Sequence, residues 1–239
     1  MHFNFHNKVA LVCGSTQGIG YAIAKTLAEC GAALILVARD ENKLKNAIQE
    51  FAHSSLHTYF TADFTNQSDI DTLCEKIKAL KIDILINNTG GPAAGPASNA
   101  KPEEFIAAFN MHLVTNHKLV QAILPHMKEN KVGRIINIIS TSVKQPLPNL
   151  GVSNTIRAAV ANWSKTLANE VAAFGITVNN VLPGATSTER LENIISNKAS
   201  KLGESEEVIS NEMINEIPMR RFGKPEEVAN AAVFLASDF

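Results

Sequence analysis

The chain has 239 residues, 45% hydrophobic and 19% charged, which is long enough for a buried core and far in composition from disordered or collagen-like chains. Lys+Arg 22 against Asp+Glu 23 leaves a formal charge of -1 with no block of like charge, so neither nucleic acid nor a membrane surface is expected as a partner. The three cysteines, Cys13, Cys30 and Cys74, form no CxxC pair, which argues against a disulfide framework or a zinc site and for a reducing, cytoplasmic setting.

Residues 1–12 lack the basic flank, long apolar stretch and small-residue cleavage site of a secretory signal, and no apolar run has the length of a membrane helix. Aliphatic and β-branched runs at 9–13, 34–38, 56–62, 82–87, 134–139 and 177–182 predict strands. Between them, apolar residues recur at helical spacing, as in Ile19, Ile23 and Leu27 before Gly31, and in Val160, Trp163, Leu167 and Val171 before Gly175. Strands apolar on both faces and joined by helices imply a parallel sheet covered on two sides. The expected fold is a single-domain α/β, a Rossmann-type doubly wound sheet in three αβα layers. Residues 90–100, rich in Gly, Pro and Ala, read as a loop at a strand's carboxyl end. Residues 187–217, polar and helix-prone, read either as a mobile substrate lid or as an inert surface helix pair.

The first strand runs into Gly14-Ser15-Thr16-Gln17-Gly18-Ile19-Gly20, and a helix begins at once. Glycines there allow a tight turn and close approach to a diphosphate, while the helix start offers unpaired N–H groups and a positive dipole end. No Gly-Lys-Ser/Thr follows, so a nucleotide triphosphatase loop is disfavoured. The second predicted strand ends in Ala38-Arg39-Asp40. A guanidinium at Arg39 suits a 2′-phosphate, so NADP(H) is expected ahead of NAD(H). NAD(H) stays open because Asp40 is either a ribose acceptor or a helix N-cap.

With these residues in place, the chain resembles the short-chain dehydrogenase/reductase family over nearly its whole length, in particular the 3-oxoacyl-acyl-carrier-protein reductase-like branch. Gly14 to Gly20 resembles the family's GxxxGIG loop, Asp63-Phe64 its adenine-contacting pair, and Asn87-Asn88-Thr89-Gly90 its NNAG signature. The strand ending at Ser140 resembles the one that delivers the catalytic serine, and Pro183-Gly184 with Thr188 the motif that contacts the nicotinamide amide. The resemblance implies that Gly14, Ser15, Gln17, Gly18, Ile19, Gly20, Arg39, Asp63, Phe64, Asn88, Thr89, Gly90, Pro183, Gly184 and Thr188 hold the coenzyme, and that the substrate is a small ketone or secondary alcohol.

The family's Asn, Ser, Tyr and Lys chemistry is matched only at Ser140. Where the resemblance places the tyrosine and lysine stand Ser153 and Arg157, and where it places the helix asparagine stands His112. Serine is a far weaker acid than a phenol, and a guanidinium does not deprotonate in proteins. Three readings follow. In a reductase with another proton donor, His112 is the candidate, with Ser140 and Ser153 orienting the carbonyl and Arg157 stabilising its oxyanion or binding an acidic substrate group; alternatively His112 only fills the asparagine's space. The second reading is a coenzyme sensor without turnover, and the third a partner subunit of an active homologue. The remaining histidines show no ligand spacing, so no metal is expected.

The resemblance also implies a homo-oligomer, dimer or tetramer, through helices at 102–128 and 152–174. Residues 220–229 resemble the family's final helix signature; the family's glycine-rich seventh strand is not found after it, so the expectation is either a shortened chain or a sheet that ends at strand six.

Overall fold

The six predicted runs form one parallel sheet in the computed structural model, which describes residues 3–239. Residues 1 and 2, part of the stretch read above as lacking a secretory signal, lie outside that description. In chain order, β1 (Val9–Cys13) leads to α1 (Gly18–Glu29), β2 (Ala33–Ala38) to α2 (Glu41–Glu50), and β3 (Thr58–Thr61) to α3 (Gln67–Ile77). Then β4 (Ile84–Asn87) leads to α4 (Pro102–Phe109) and α5 (Thr115–Asn130), and β5 (Gly133–Ile138) to α6 (Gly151–Val171). Finally, β6 (Ile176–Val181) is followed by α7 (Glu189–Leu202), α8 (Glu206–Asn215) and α9 (Pro225–Ala236). The strand order β3-β2-β1-β4-β5-β6 reverses between β1 and β4, and a crevice opens at the strands' carboxyl ends there.

Side chains alternate across the strands, so each strand feeds two cores. Val12, Leu36 and Ile86 pack with α1 and α9, whereas Leu11, Ile35 and Leu85 pack with α3 and α5. Beneath the site, Asn87, Asn137 and Asn180 stand in register on β4, β5 and β6. Asn87 Nδ2 donates to Asn137 Oδ1 (2.8 Å), and Asn137 Nδ2 donates to Asn180 Oδ1 (3.2 Å) and to Ser164 Oγ on α6 (2.9 Å). Hydrogen bonds between buried polar groups fix register in a way apolar contacts do not, so this row sets where the strand ends and α6 present their residues.

Two elements differ from the sequence expectation. The strand expected over 56–62 is cut to Thr58–Thr61, because His53 turns left-handed (φ 58) and Ser54–Leu56 coils into a 3₁₀ turn that cannot pair. The helix expected over 102–128 is interrupted by a π-helical turn, Asn110–Val114, that carries His112. Residues 187–217 fold as α7 and α8, packed on each other through Leu191, Ile195, Ala199 and Ile209. Among the described residues the sheet has six strands with β6 at its edge, and no helix is long and apolar enough to cross a membrane.

Candidate active site

The crevice is two adjoining clefts. The outer one, about 290 Å³, lies over the start of α1 and is bordered by Gly14, Gln17, Gly18, Ile19, Arg39, Phe64 and Gly90. The inner one, about 220 Å³, is bordered by Ser140, Ser153, Arg157, Pro183 and Gly184. Ile19, Asn88, Thr89, Thr188 and Arg190 border both, which makes the two clefts continuous.

The outer cleft fits an anionic dinucleotide. Helix α1 has no side-chain cap at Gln17 and no acidic residue in its first turn, so its leading N–H groups face the cleft without an internal acceptor. Gly14 is left-handed (φ 59), and a Cβ there would stand 2.6 Å from the Asn88 carbonyl oxygen. A Cβ on Gly20 would collide with the Gly14 carbonyl. The loop is therefore folded flat against the helix start, and Asn88 Nδ2 ties it to the end of β4 by donating to the Cys13 and Gly14 carbonyls (3.3 and 3.2 Å).

At the adenosine end, Arg39 is free to reach a 2′-phosphate: its side chain is 73% exposed and its contact to Asp63 is long, 3.8 Å. Lys43 borders the same cleft, a second cation that the sequence reading did not single out. Asp40, left open between two roles, caps α2 by accepting the Lys43 N–H (3.0 Å). Not every expected coenzyme residue borders the cleft. Ser15 is buried behind the loop, with its hydroxyl donating to the Val37 carbonyl (3.4 Å). Asp63 accepts from the backbone and hydroxyl of Thr65 (2.9 and 2.7 Å), and Phe64 borders the cleft beside it. Thr188 caps α7 by accepting the Leu191 N–H (3.4 Å) while bordering both clefts.

In the inner cleft, the Ser140 hydroxyl accepts the Ser142 N–H (3.1 Å) and keeps its own proton to donate. Ser153 is 6% exposed and Arg157 8%, one helical turn apart on α6. Arg157 donates to the Ile138 carbonyl (3.0 Å), and burial together with the charge on Arg190 pushes its pKa down to about 10, leaving it cationic at neutral pH. Arg190, missed by the sequence reading, reaches from the first turn of α7 to donate to the Gly91 carbonyl (3.0 Å). Its position two residues after Thr188, at the mouth of the crevice, was the available signal.

His112 is 1% exposed, and its Nδ1 is bonded to the Thr89 hydroxyl at 2.6 Å. Its Nε2 is buried without a hydrogen-bond partner. Burial, then the charges of Arg157 and Arg190, push its pKa down to about 2, so the imidazole is neutral at ordinary pH. A neutral imidazole is a very weak acid. Neither tyrosine reaches the crevice: Tyr21 bonds to Glu50 (2.6 Å) and Tyr59 to Glu41 (2.9 Å). Among the described residues no three His, Cys, Asp or Glu side chains converge as metal ligands, and Cys13, Cys30 and Cys74 are free thiols.

The family profile described as Enoyl-(Acyl carrier protein) reductase matches residues 14–239, the span from the glycine loop to the end of the chain. The chain belongs to the short-chain dehydrogenase/reductase family. It is 34% identical over 239 residues to the 3-oxoacyl-acyl-carrier-protein reductase FabG of Escherichia coli, covering 98% of this chain and 92% of that one. It is 31% identical over 236 residues to the NADPH-dependent reductase BacG of Bacillus subtilis, covering 97% and 91%. The L-sorbose reductase of Gluconobacter frateurii, solved with NADPH and L-sorbose, superposes with a TM-score of 0.89 at 30% identity, covering 100% of this chain and 92% of that one. The short-chain dehydrogenase/reductase assignment accounts for the crevice at the β1/β4 switch point and for the glycine loop beneath it.

Proposed function

We propose that the protein is an NADP(H)-dependent oxidoreductase that reduces a ketone to a secondary alcohol, with 3-oxoacyl and other small oxo compounds as the candidate substrates. The observation that carries this reading is the continuity of the crevice, from the uncapped start of α1 to the Ser140, Ser153 and Arg157 side chains. Reductases of 3-oxoacyl-acyl-carrier-protein and an NADPH-dependent reductase among its relatives support the same reaction class.

NADPH, when bound, supplies the hydride. The α1 amides, Gly18 and Ile19 would hold its diphosphate, Arg39 and Lys43 its 2′-phosphate, and Asn88, Thr89, Gly90, Pro183, Gly184 and Thr188 its nicotinamide half. The Ser140 and Ser153 hydroxyls donate hydrogen bonds to the substrate oxygen and orient it. The fixed charge of Arg157 stabilises negative charge as it develops there. With no phenol in the crevice and His112 neutral, the proton is taken from water.

The same absence of an internal acid favours a second reading, a coenzyme-binding protein without turnover. One experiment separates the two: titrate NADPH and NADH by fluorescence, then follow NADPH absorbance with a panel of ketones. Tight NADPH binding with ketone-dependent consumption supports the reductase; tight binding without consumption supports the sensor; no binding of either coenzyme rejects both.

A cytoplasmic setting and a homo-oligomer also belong to this proposal. Ile106 and Phe109 are exposed apolar residues on α4, the helix that the family resemblance places at a subunit contact. Sedimentation velocity should give a dimer or tetramer, and a monomer would reject this contact.

A further inference from the structure

The inner cleft has two guanidinium groups at its wall and no acid. Among the described residues Asp and Glu are absent from its lining. Arg157 uses one N–H on the Ile138 carbonyl, and the one neighbouring charge acting on it is Arg190, of the same sign. Arg190 is held by the Gly91 carbonyl, likewise without a carboxylate. Withdrawing a guanidinium from water is strongly unfavourable unless a counter-charge meets it, and arginine cannot escape by releasing its proton. Two like charges kept together, Arg157 buried and Arg190 half-buried, therefore match an anion that arrives from outside.

The coenzyme accounts for one of them at most. Arg190 borders both clefts, whereas Arg157 borders the inner cleft alone, where the residues assigned to the coenzyme would hold its nicotinamide, which carries no negative charge. The charge on a carbonyl under reduction is transient and is met by two hydroxyls together with Arg157, whose guanidinium has five N–H donors and spends one on the Ile138 carbonyl, leaving others for a permanent anion. Leu147, Leu150, Ile194 and Met213 supply the rest of the wall, so the molecule that carries the anion has an apolar part as well.

We propose that the inner cleft is a carboxylate site and that the substrate is a short oxo acid with an apolar chain, its carboxylate bound by Arg157 with Arg190 at the rim. This rests on the reductase reading for the reaction but not for the binding. It separates the protein from reductases of neutral ketones and of acyl thioesters, whose reacting ends carry no permanent charge.

The test is calorimetric titration of the protein saturated with NADP+, where no hydride is available, using phenylpyruvate, acetoacetate and levulinate, each beside its methyl ester. At least one acid should bind about tenfold or more tightly than its ester, the size of effect a charge-assisted bidentate contact gives. Arg157→Gln should erase that preference and Arg157→Lys should retain it, with NADP+ affinity within about threefold of the parent in both. Arg190→Gln, which leaves the floor of the cleft intact, should narrow the preference. Equal affinity of every acid and ester, or no binding of any acid, overturns the proposal. So does an Arg157→Gln variant that loses NADP+ affinity while the acid-over-ester preference survives, because the anion would then be the coenzyme. If NADP+ itself fails to bind, the reductase reading falls, and the same pairs titrated against the free protein still decide this one.

Discussion

His112 gives the sharpest quantitative consequence. Its imidazole is fully buried, bonded to Thr89 on one nitrogen, unpartnered on the other, and faced by two guanidinium groups. In the unfolded chain it titrates near its reference value of 6.5, while in the folded protein it is pushed down to about 2. A folded-state value below the unfolded one means that the unfolded chain takes up the proton first. The stabilising contribution is complete above about pH 6.5 and is lost as pH falls from there towards the folded value. Between about pH 7.5 and pH 5 that linkage removes about 2 kcal/mol, which in a protein of this size corresponds to about 4–8 °C in Tm. Carboxylates also titrate in that range, so the comparison is with His112→Asn, which keeps an amide beside Thr89 and has nothing to protonate. Thermal melts of both coenzyme-free proteins across that interval should show the parent falling more steeply by this amount, with the two curves converging as pH drops. Parallel curves, or an NMR titration of His112 with a midpoint near neutrality, would refute the burial argument.

Three further outcomes follow from the crevice. Gly20→Ala drives a methyl group into the Gly14 carbonyl, so it should destabilise the fold by about 1–3 kcal/mol and weaken NADPH binding beyond detection by fluorescence titration. Arg39→Ala should lower NADPH affinity by about tenfold and leave NADH affinity unchanged, since the lost charge-assisted contact is to the 2′-phosphate alone; equal losses for both coenzymes would place Arg39 elsewhere. Ser153→Tyr combined with Arg157→Lys should create or raise NADPH-dependent ketone reduction, and no gain in a folded, coenzyme-bound double variant would contradict the placement of the relay on α6.

The features legible from the sequence are those whose cause is local. The β1 and β4 runs are buried on both faces, so a run of aliphatic residues was sufficient to find them. The glycine loop was legible because its geometry excludes side chains at Gly14 and Gly20, and composition alone records that exclusion. The features that escaped depend on partners far along the chain. Ser15 belongs to the loop motif but faces Val37, and Arg190 gains its place from Gly91, ninety-nine residues away. The π-helical turn at Asn110–Val114 left no compositional mark, because its residues are compatible with an ordinary helix. Asp40 could be resolved only by seeing its carboxylate accept the Lys43 N–H.

Under the proposed assignment, in which Ser153 and Arg157 stand where the family resemblance puts a tyrosine and a lysine, the inner cleft handles protons differently as well as binding differently. A phenol beside an ammonium forms a pair that titrates, and its rate profile bends where it does so. Here Ser140 and Ser153 do not ionise in water's range, Arg157 and Arg190 stay charged, and His112 stays neutral. Among the described residues the inner lining holds no other titratable side chain. The catalytic field is therefore constant across the neutral range, and kcat/KM for ketone reduction should show no inflection between about pH 5.5 and pH 8.5 from the protein itself. The Ser153→Tyr and Arg157→Lys double variant should restore one, because it returns a titrating pair to the same helix face. Steady-state rates in buffers of constant ionic strength decide the point: a bell-shaped profile in the parent protein would mean that an acid outside this cleft reaches the substrate oxygen.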